Sequence, residues 1–384
     1  MLLIIFFLQF LFESKHPSQP VPKFQAQVID SAISIGYGIA LGDVDGDKKP
    51  DILLADKKKF VWYRNGDWKR FVMIENLTES DNVCIAARDL DGDGKVEVAV
   101  GAQWSPNETT DTVKSGSVHY LVRPQDPTQL WKAVELPHEP TVHRMRWVKS
   151  PDGSFYLLVL PLHGRGNKNG EGEGVKMIAY KFPKNPSASW DMFIVDQSMH
   201  LTHNFDIVED KSSNNPVFFI AGKEGVKIIS PFSNNGNAQL TNSGKSAGEI
   251  RIGNAGSKQP FIATIEPMHG VAVVVYSGES NKTRIVLDEQ LKEGHAIATG
   301  DFLGLGYDQV VAGWRIPNAS NITGIKLYVP DKTGTKWDPY WIDENGIATE
   351  DLQVLDMNGD GKLDIIASGR ATKNLKIYWN RSGN

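Results

Sequence analysis

The stretch Asp43-Val44-Asp45-Gly46-Asp47-Lys48-Lys49-Pro50-Asp51 constrains the fold more than any other. Oxygen-bearing side chains fall at its places 1, 3, 5 and 9, Gly46 sits at the turn, and Lys49 at place 7 can offer its carbonyl. That alternation suits a hard cation, Ca²⁺ or Mg²⁺, which gathers several oxygens around itself. Ile39-Ala40-Leu41 precedes the loop and Ile52-Leu53-Leu54-Ala55 follows it, so the unit reads as strand, clipped loop, strand. It is not an EF-hand, because the flanks are strand-like and no Glu stands at place 12. The unit recurs with the same spacing. Asp89, Asp91, Asp93 and Glu97 form the second copy, and Asp356, Asn358, Asp360 and Asp364 the third.

Around these loops, runs rich in Val, Ile, Phe and Trp alternate with Gly, Pro, Asn and Asp, and no amphipathic helix stands out. Unit starts fall near Gly36, Val83, Val142, Thr202, Gly248, His295 and Glu350, roughly 45–60 residues apart, the period of a four-stranded propeller blade. The fold predicted is all-β, a seven-bladed β-propeller. The last unit supplies three strands, about 350–356, 363–367 and 375–379, whereas residues 23–30 form a strand with no neighbour in sequence. Pairing the two closes the ring and removes two exposed edges. Residues 21–384 therefore read as one propeller domain, with the apolar run Leu2–Phe12 placing a signal peptide or N-terminal anchor in residues 1–20. That run is too short to span a membrane as a helix. It points to a secreted or periplasmic protein.

The net charge of −5 gives no electrostatic case for nucleic acid, and the single cysteine, Cys84, excludes an internal disulfide framework. Neither a phosphate-cradling glycine loop nor a Gly-x-Ser-x-Gly elbow occurs.

In a propeller, loops joining first to second strands share one face, so the acidic clips lie there as structural devices. The opposite face collects the starts of the inner strands (Tyr37, Asn82, His143, His203, Glu249, His295, Glu350) and the ends of the second strands (Trp104, His163, Lys223, His269, Trp314-Arg315, Arg370). Five of the nine histidines occupy these positions, more than a structural role requires. His143, His203 and His295 are expected to converge on the axis and hold Zn²⁺ or a similar ion, with His269 or His163 able to replace one of them. Tyr37, Trp104, Arg144, Lys223, Trp314, Arg315 and Arg370 are candidate contacts for a small carbohydrate, which needs flat apolar faces and polar donors together.

The pattern Gly-x-Ala-x-Gly-Asp-x-Asp-Gly-Asp at Gly38–Asp47 resembles the FG-GAP/VCBS repeat of integrin-type propellers, a likeness that covers nearly all of the chain but is silent on activity. The segments His143-Arg144-Met145-Arg146-Trp147, Pro161-Leu162-His163-Gly164-Arg165-Gly166-Asn167 and His203-Asn204 resemble the propeller domain of the fungal aldos-2-ulose dehydratases. That second resemblance implies a lyase that removes water from a keto-sugar such as 1,5-anhydro-D-fructose. His163 or His203 would then serve as acid or base, and Arg165 would steady the enediolate. The fungal enzymes continue into cupin-like domains after the propeller, so a second, isomerising step and dimerisation through those domains are not expected of this chain. The competing expectations are a non-catalytic glycan-binding or adhesion propeller and a polysaccharide lyase.

Overall fold

The computed structural model describes residues 20–209, 215–233, 239–241 and 245–383, so the N-terminal apolar run lies outside the described residues. Seven four-stranded antiparallel sheets surround an axis, each ordered from an inner first strand to an outer fourth. The inner strands are Gly38–Gly42, Cys84–Arg88, Val142–Lys149, Thr202–Glu209, Ile250–Gly253, Gly294–Gly300 and Thr349–Leu355. A single 3-10 turn, Glu279–Asn281, is the one helical element among the described residues. None of the described helices is long and apolar enough to cross a membrane.

The ring closes as the sequence predicts. Phe24–Asp30 pairs antiparallel with Asn374–Asn380 and becomes the outer strand of blade 7. Phe24 also sets its ring edge-on against Phe302 of blade 6, at 6.2 Å.

The core is seven layers, one between each pair of neighbouring blades. Ala40, Leu53 and Trp62 of blade 1 pack on Ile85, Val98 and Val100 of blade 2, and the same arrangement repeats around the ring. The closing layer, Ile39 and Ile52 against Ile366 and Ile377, is built like the others. Each second strand is covered on both faces, so Asp51–Ala55, Glu97–Ala102 and Gln309–Trp314 are buried at every residue. They accordingly read as continuous apolar runs rather than alternating ones. Outer strands such as Met192–Asp196 face solvent.

Burial shifts several titratable groups of this core, Cys84 and His119 among them. The Cys84 thiol is pushed up to about 12 and stays protonated, which fits a structural role. His119 of blade 2 is lowered to about 4, chiefly by burial, with Glu135 opposing. The unfolded chain takes up this proton near pH 6.5, so stability due to neutral His119 is full above that pH and is lost as pH falls toward 4. Relative to a His119→Leu variant, wild-type unfolding free energy should drop by about 1.4 kcal/mol per pH unit across that window. Denaturant midpoints of the two proteins at pH 7, 6 and 5 check this, and a constant difference would refute it.

Candidate functional site

The acidic loops mark one face of the ring. Asp43 closes its own loop, accepting the N–H groups of Gly46 at 2.6 Å and Lys48 at 2.7 Å. Asp51, at the ninth place, turns inward and is fully buried. It accepts the Val44 and Asn65 N–H groups, both at 2.8 Å. Glu97 accepts Leu90 N–H and Asp364 accepts Met357 N–H in the same way. In blade 6 the buried Gln309 occupies the corresponding place, accepting from Leu303. The ninth place is thus first a backbone acceptor that fastens the hairpin. Asp51→Ala would leave one buried and one partly buried N–H unmet and should cost about 2–4 kcal/mol, read from denaturant midpoints, whereas Asp51→Asn should cost clearly less.

Carboxylate oxygens of Asp43, Asp45 and Asp51 lie within 4.8 Å of one another, as do those of Asp89, Asp91 and Glu97. This all-oxygen set fits Ca²⁺ or Mg²⁺. Asp47 and Asp93 stand outside these groups; Asp47 pairs with Lys49, and Asp93 with Lys95 and Arg123. In the third copy Asp360 accepts from Asn358 at 3.2 Å, and Asp356, Asp360 and Asp364 form no comparable group.

At the opposite end of the axis the inner strands do something the sequence cannot show. In blades 3, 4, 6 and 7 the pairing of first and second strands slips by one residue, and the residue inside the slip is His143, His203, His295 and Glu350 respectively. Blades 1 and 2 pair without a slip. A bulge re-aims one side chain without disturbing the rest of the strand. Here four such side chains are turned at equivalent positions. His269 joins them from the turn after Phe261–Glu266, held in a left-handed conformation at φ 53°. Positive φ costs a non-glycine residue energy and is common where function fixes a side chain.

The cluster that results is His203, His269 and His295, whose ring nitrogens all lie within 4.8 Å of one another. His203 Nε2 and His269 Nε2 are 2.7 Å apart. Two of the outward-facing nitrogens meet an oxygen. His295 Nδ1 bonds the Glu350 carbonyl at 2.6 Å, and His203 Nδ1 lies 2.9 Å from Glu249 Oε1. Metal-bound histidines are held by such outer contacts. Burial, followed by His203 for the one and by Arg315 for the other, pushes His269 down to about 2 and His295 well below its usual range. For His203 burial also wins, against the opposing pull of Glu249. The three rings are therefore neutral near pH 7, the form in which imidazole binds a metal.

His143 does not belong to this cluster, contrary to expectation. Its Nδ1 bonds the His203 carbonyl at 3.1 Å and its Nε2 receives Arg144 Nη1 at 3.0 Å. The ring is also stacked on Trp104, with centroids 5.0 Å apart. Both nitrogens are used, so the ring acts as a wall that supports His203, and His269 takes its place. Trp314 corrects a second expectation. It is wholly buried in the layer between blades 5 and 6, and its indole N–H donates to the Ile322 carbonyl. It has no surface to offer a ligand.

The cations around the mouth are largely paired. Arg315 donates to Glu293 at 2.7 Å and to Glu350 at 3.1 Å. Arg370 donates to Glu350 at 2.8 Å and lies over the Tyr37 ring. Tyr37 donates to Asp81 at 3.0 Å. Lys223 caps the Asn169 carbonyl, and Arg165 donates through Nε to Glu139 at 3.0 Å. His163 stands near His143, in the loop after Phe155–Pro161, with the Asn167 side chain against its ring. Sequence reasoning missed the carboxylates Glu249, Glu293 and Glu350 as organisers of the site. Glu249 and Glu350 stand at inner-strand starts, like the histidines, and that position was the available signal.

The FG-GAP-like repeat matches residues 43–100 and the FG-GAP repeat residues 85–121. The first blades thus carry FG-GAP repeats. No curated protein matches the chain. Among solved structures, a chain of the mitotic checkpoint complex is 11% identical with a TM-score of 0.58, covering 98% of this chain and 99% of its own length. The rhamnogalacturonan lyase YesW is 14% identical, with a TM-score of 0.53, covering 93% of this chain and 75% of its own. The exotype rhamnogalacturonan lyase YesX is 13% identical, with a TM-score of 0.53 and coverages of 94% and 74%. At these identities the likeness is one of fold alone.

Proposed function

We propose that this FG-GAP-repeat propeller is a metal-dependent carbon–oxygen lyase that eliminates water from a keto-sugar such as 1,5-anhydro-D-fructose. The observation that carries the reading is the convergence of His203, His269 and His295 at the axial mouth, with the Glu350 carbonyl holding His295 and Glu249 beside His203. Three imidazoles suit Zn²⁺ or a similar divalent ion and leave a position for a ligand. Such an ion would polarise a ketone oxygen and so acidify the adjacent C–H.

The chain's own groups supply the rest. His163 accepts the proton from the carbon beside the ketone; burial lowers its proton affinity, keeping it neutral and able to act as a base. The hydroxyl on the next carbon takes up that proton from His163 and departs as water, which restores the neutral ring and leaves an enone. Arg165 is anchored through Nε, and its Nη donors have no hydrogen-bond partner among the described residues, so they can accept the charge that gathers on the enolate oxygen. Trp104, only partly buried, offers a flat apolar surface to the sugar ring. The architecture shared with two rhamnogalacturonan lyases is consistent with eliminations on sugars. The apolar N-terminal run goes with a secreted or periplasmic site of action, and the acidic loops with structural Ca²⁺ or Mg²⁺.

Zn²⁺-supplemented protein mixed with 1,5-anhydro-D-fructose should develop ultraviolet absorbance from the enone. His163→Ala should slow this by about 10²–10⁴-fold. A wild-type protein that binds the sugar but develops no absorbance would replace the lyase reading with the glycan-binding one.

A further inference from the structure

Below the histidines, the axis widens into a cavity of about 560 Å³ that extends toward the clip face. Four arginines line it, Arg88, Arg144, Arg146 and Arg251, with the carboxylates Asp206, Glu209 and Asp351. Four guanidinium groups thus face three carboxylates.

Arg88 is spent on Glu209, at 2.5 and 3.1 Å, near the clip-side end of the inner strands. Asp206 and Asp351 each reach sideways to the inner strand of the adjoining blade. Asp206 accepts Ile252 N–H at 2.9 Å, and Asp351 accepts Ile39 N–H at 2.7 Å and Leu352 N–H at 2.9 Å. They tie blades together and act on the arginines only across the cavity, without a close ion pair. Arg251 is only 9% exposed and donates to one backbone carbonyl, that of Ile250 at 2.6 Å. Arg146 donates through Nε to the Phe205 carbonyl at 2.9 Å and lies over the Phe205 ring. Among the described residues no carboxylate comes within 4.0 Å of either guanidinium. Arg144 is 3.9 Å from Glu249 and otherwise serves His143.

A buried guanidinium with unmet donors is costly, and two facing the same cavity are more so. Arg146 has its proton affinity lowered to about 10, by burial first and by Arg251 next, with Asp206, Asp351 and Glu249 opposing from a distance. Guanidinium forks match the paired oxygens of a carboxylate, phosphate or sulfate.

We infer that the axial chamber is a binding site for a small oxyanion, held by Arg146 and Arg251 with Arg144 at the end nearest the histidines. The inference stands independently of the metal and of the lyase reading.

The test is calorimetric titration of the full chain with sodium phosphate, sulfate and acetate, against chloride at matched ionic strength. At least one oxyanion should bind saturably, and Arg251→Met and Arg146→Met should each weaken it about tenfold or more. The anion that binds best identifies the class. Thermal unfolding provides a second reading on wild type alone, with Tm rising in that oxyanion and not in chloride. The inference is overturned if no oxyanion does more than chloride, or if both variants keep wild-type affinity. Should the variants not fold, the wild-type comparison decides.

Discussion

Glu350→Ala should cost about 3–5 kcal/mol of stability, the penalty for removing one partner of a buried ion pair. Glu350 is 2% exposed. Its two oxygens hold Arg315 and Arg370, and its carbonyl fixes the His295 ring. Removing the carboxylate leaves Arg315 on Glu293 alone and frees Arg370 over Tyr37. The side chains of three successive units of the ring, blades 6, 7 and 1, would lose their common tie. Glu350→Gln keeps the shape and one acceptor, and should cost less. Denaturant midpoints at unchanged slope measure both. A Glu350→Ala protein within 1 kcal/mol of wild type would show that Glu350 organises nothing.

The fold was legible in the sequence because a propeller repeats its instructions. The buried second strands read as apolar runs, and the acidic clips marked first-to-second loops. The spare strand at residues 23–30 matched a last blade one strand short, and Phe24–Asp30 does pair there. The site was only partly legible. Counting strand starts brought His143, His203 and His295 to one end of the axis, but could not show which way each ring is turned. That depends on one-residue bulges, which leave no mark in the alternation of side chains. It also depends on Arg144, which follows His143 in the chain and occupies its Nε2. Trp314 misled for a related reason. A tryptophan ending a second strand has the same sequence position whether it faces the mouth or the layer between blades, and here it faces the layer.

The second large effect concerns the metal. If His203, His269 and His295 bind one ion, losing one ligand should weaken it by several orders of magnitude, while losing His143 should not remove a donor. His269 is the best ligand to change, because it sits on a turn and is only partly buried, so His269→Ala should fold. His143→Ala is the control; it removes a neighbouring ring that is stacked on Trp104 and bonded to the His203 carbonyl. Elemental analysis of purified wild type, His269→Ala and His143→Ala after dialysis against trace Zn²⁺ tests the central claim most directly. The account predicts about one transition-metal equivalent in wild type and in His143→Ala, and almost none in His269→Ala. No metal in wild type, or equal metal in wild type and His269→Ala, would contradict it.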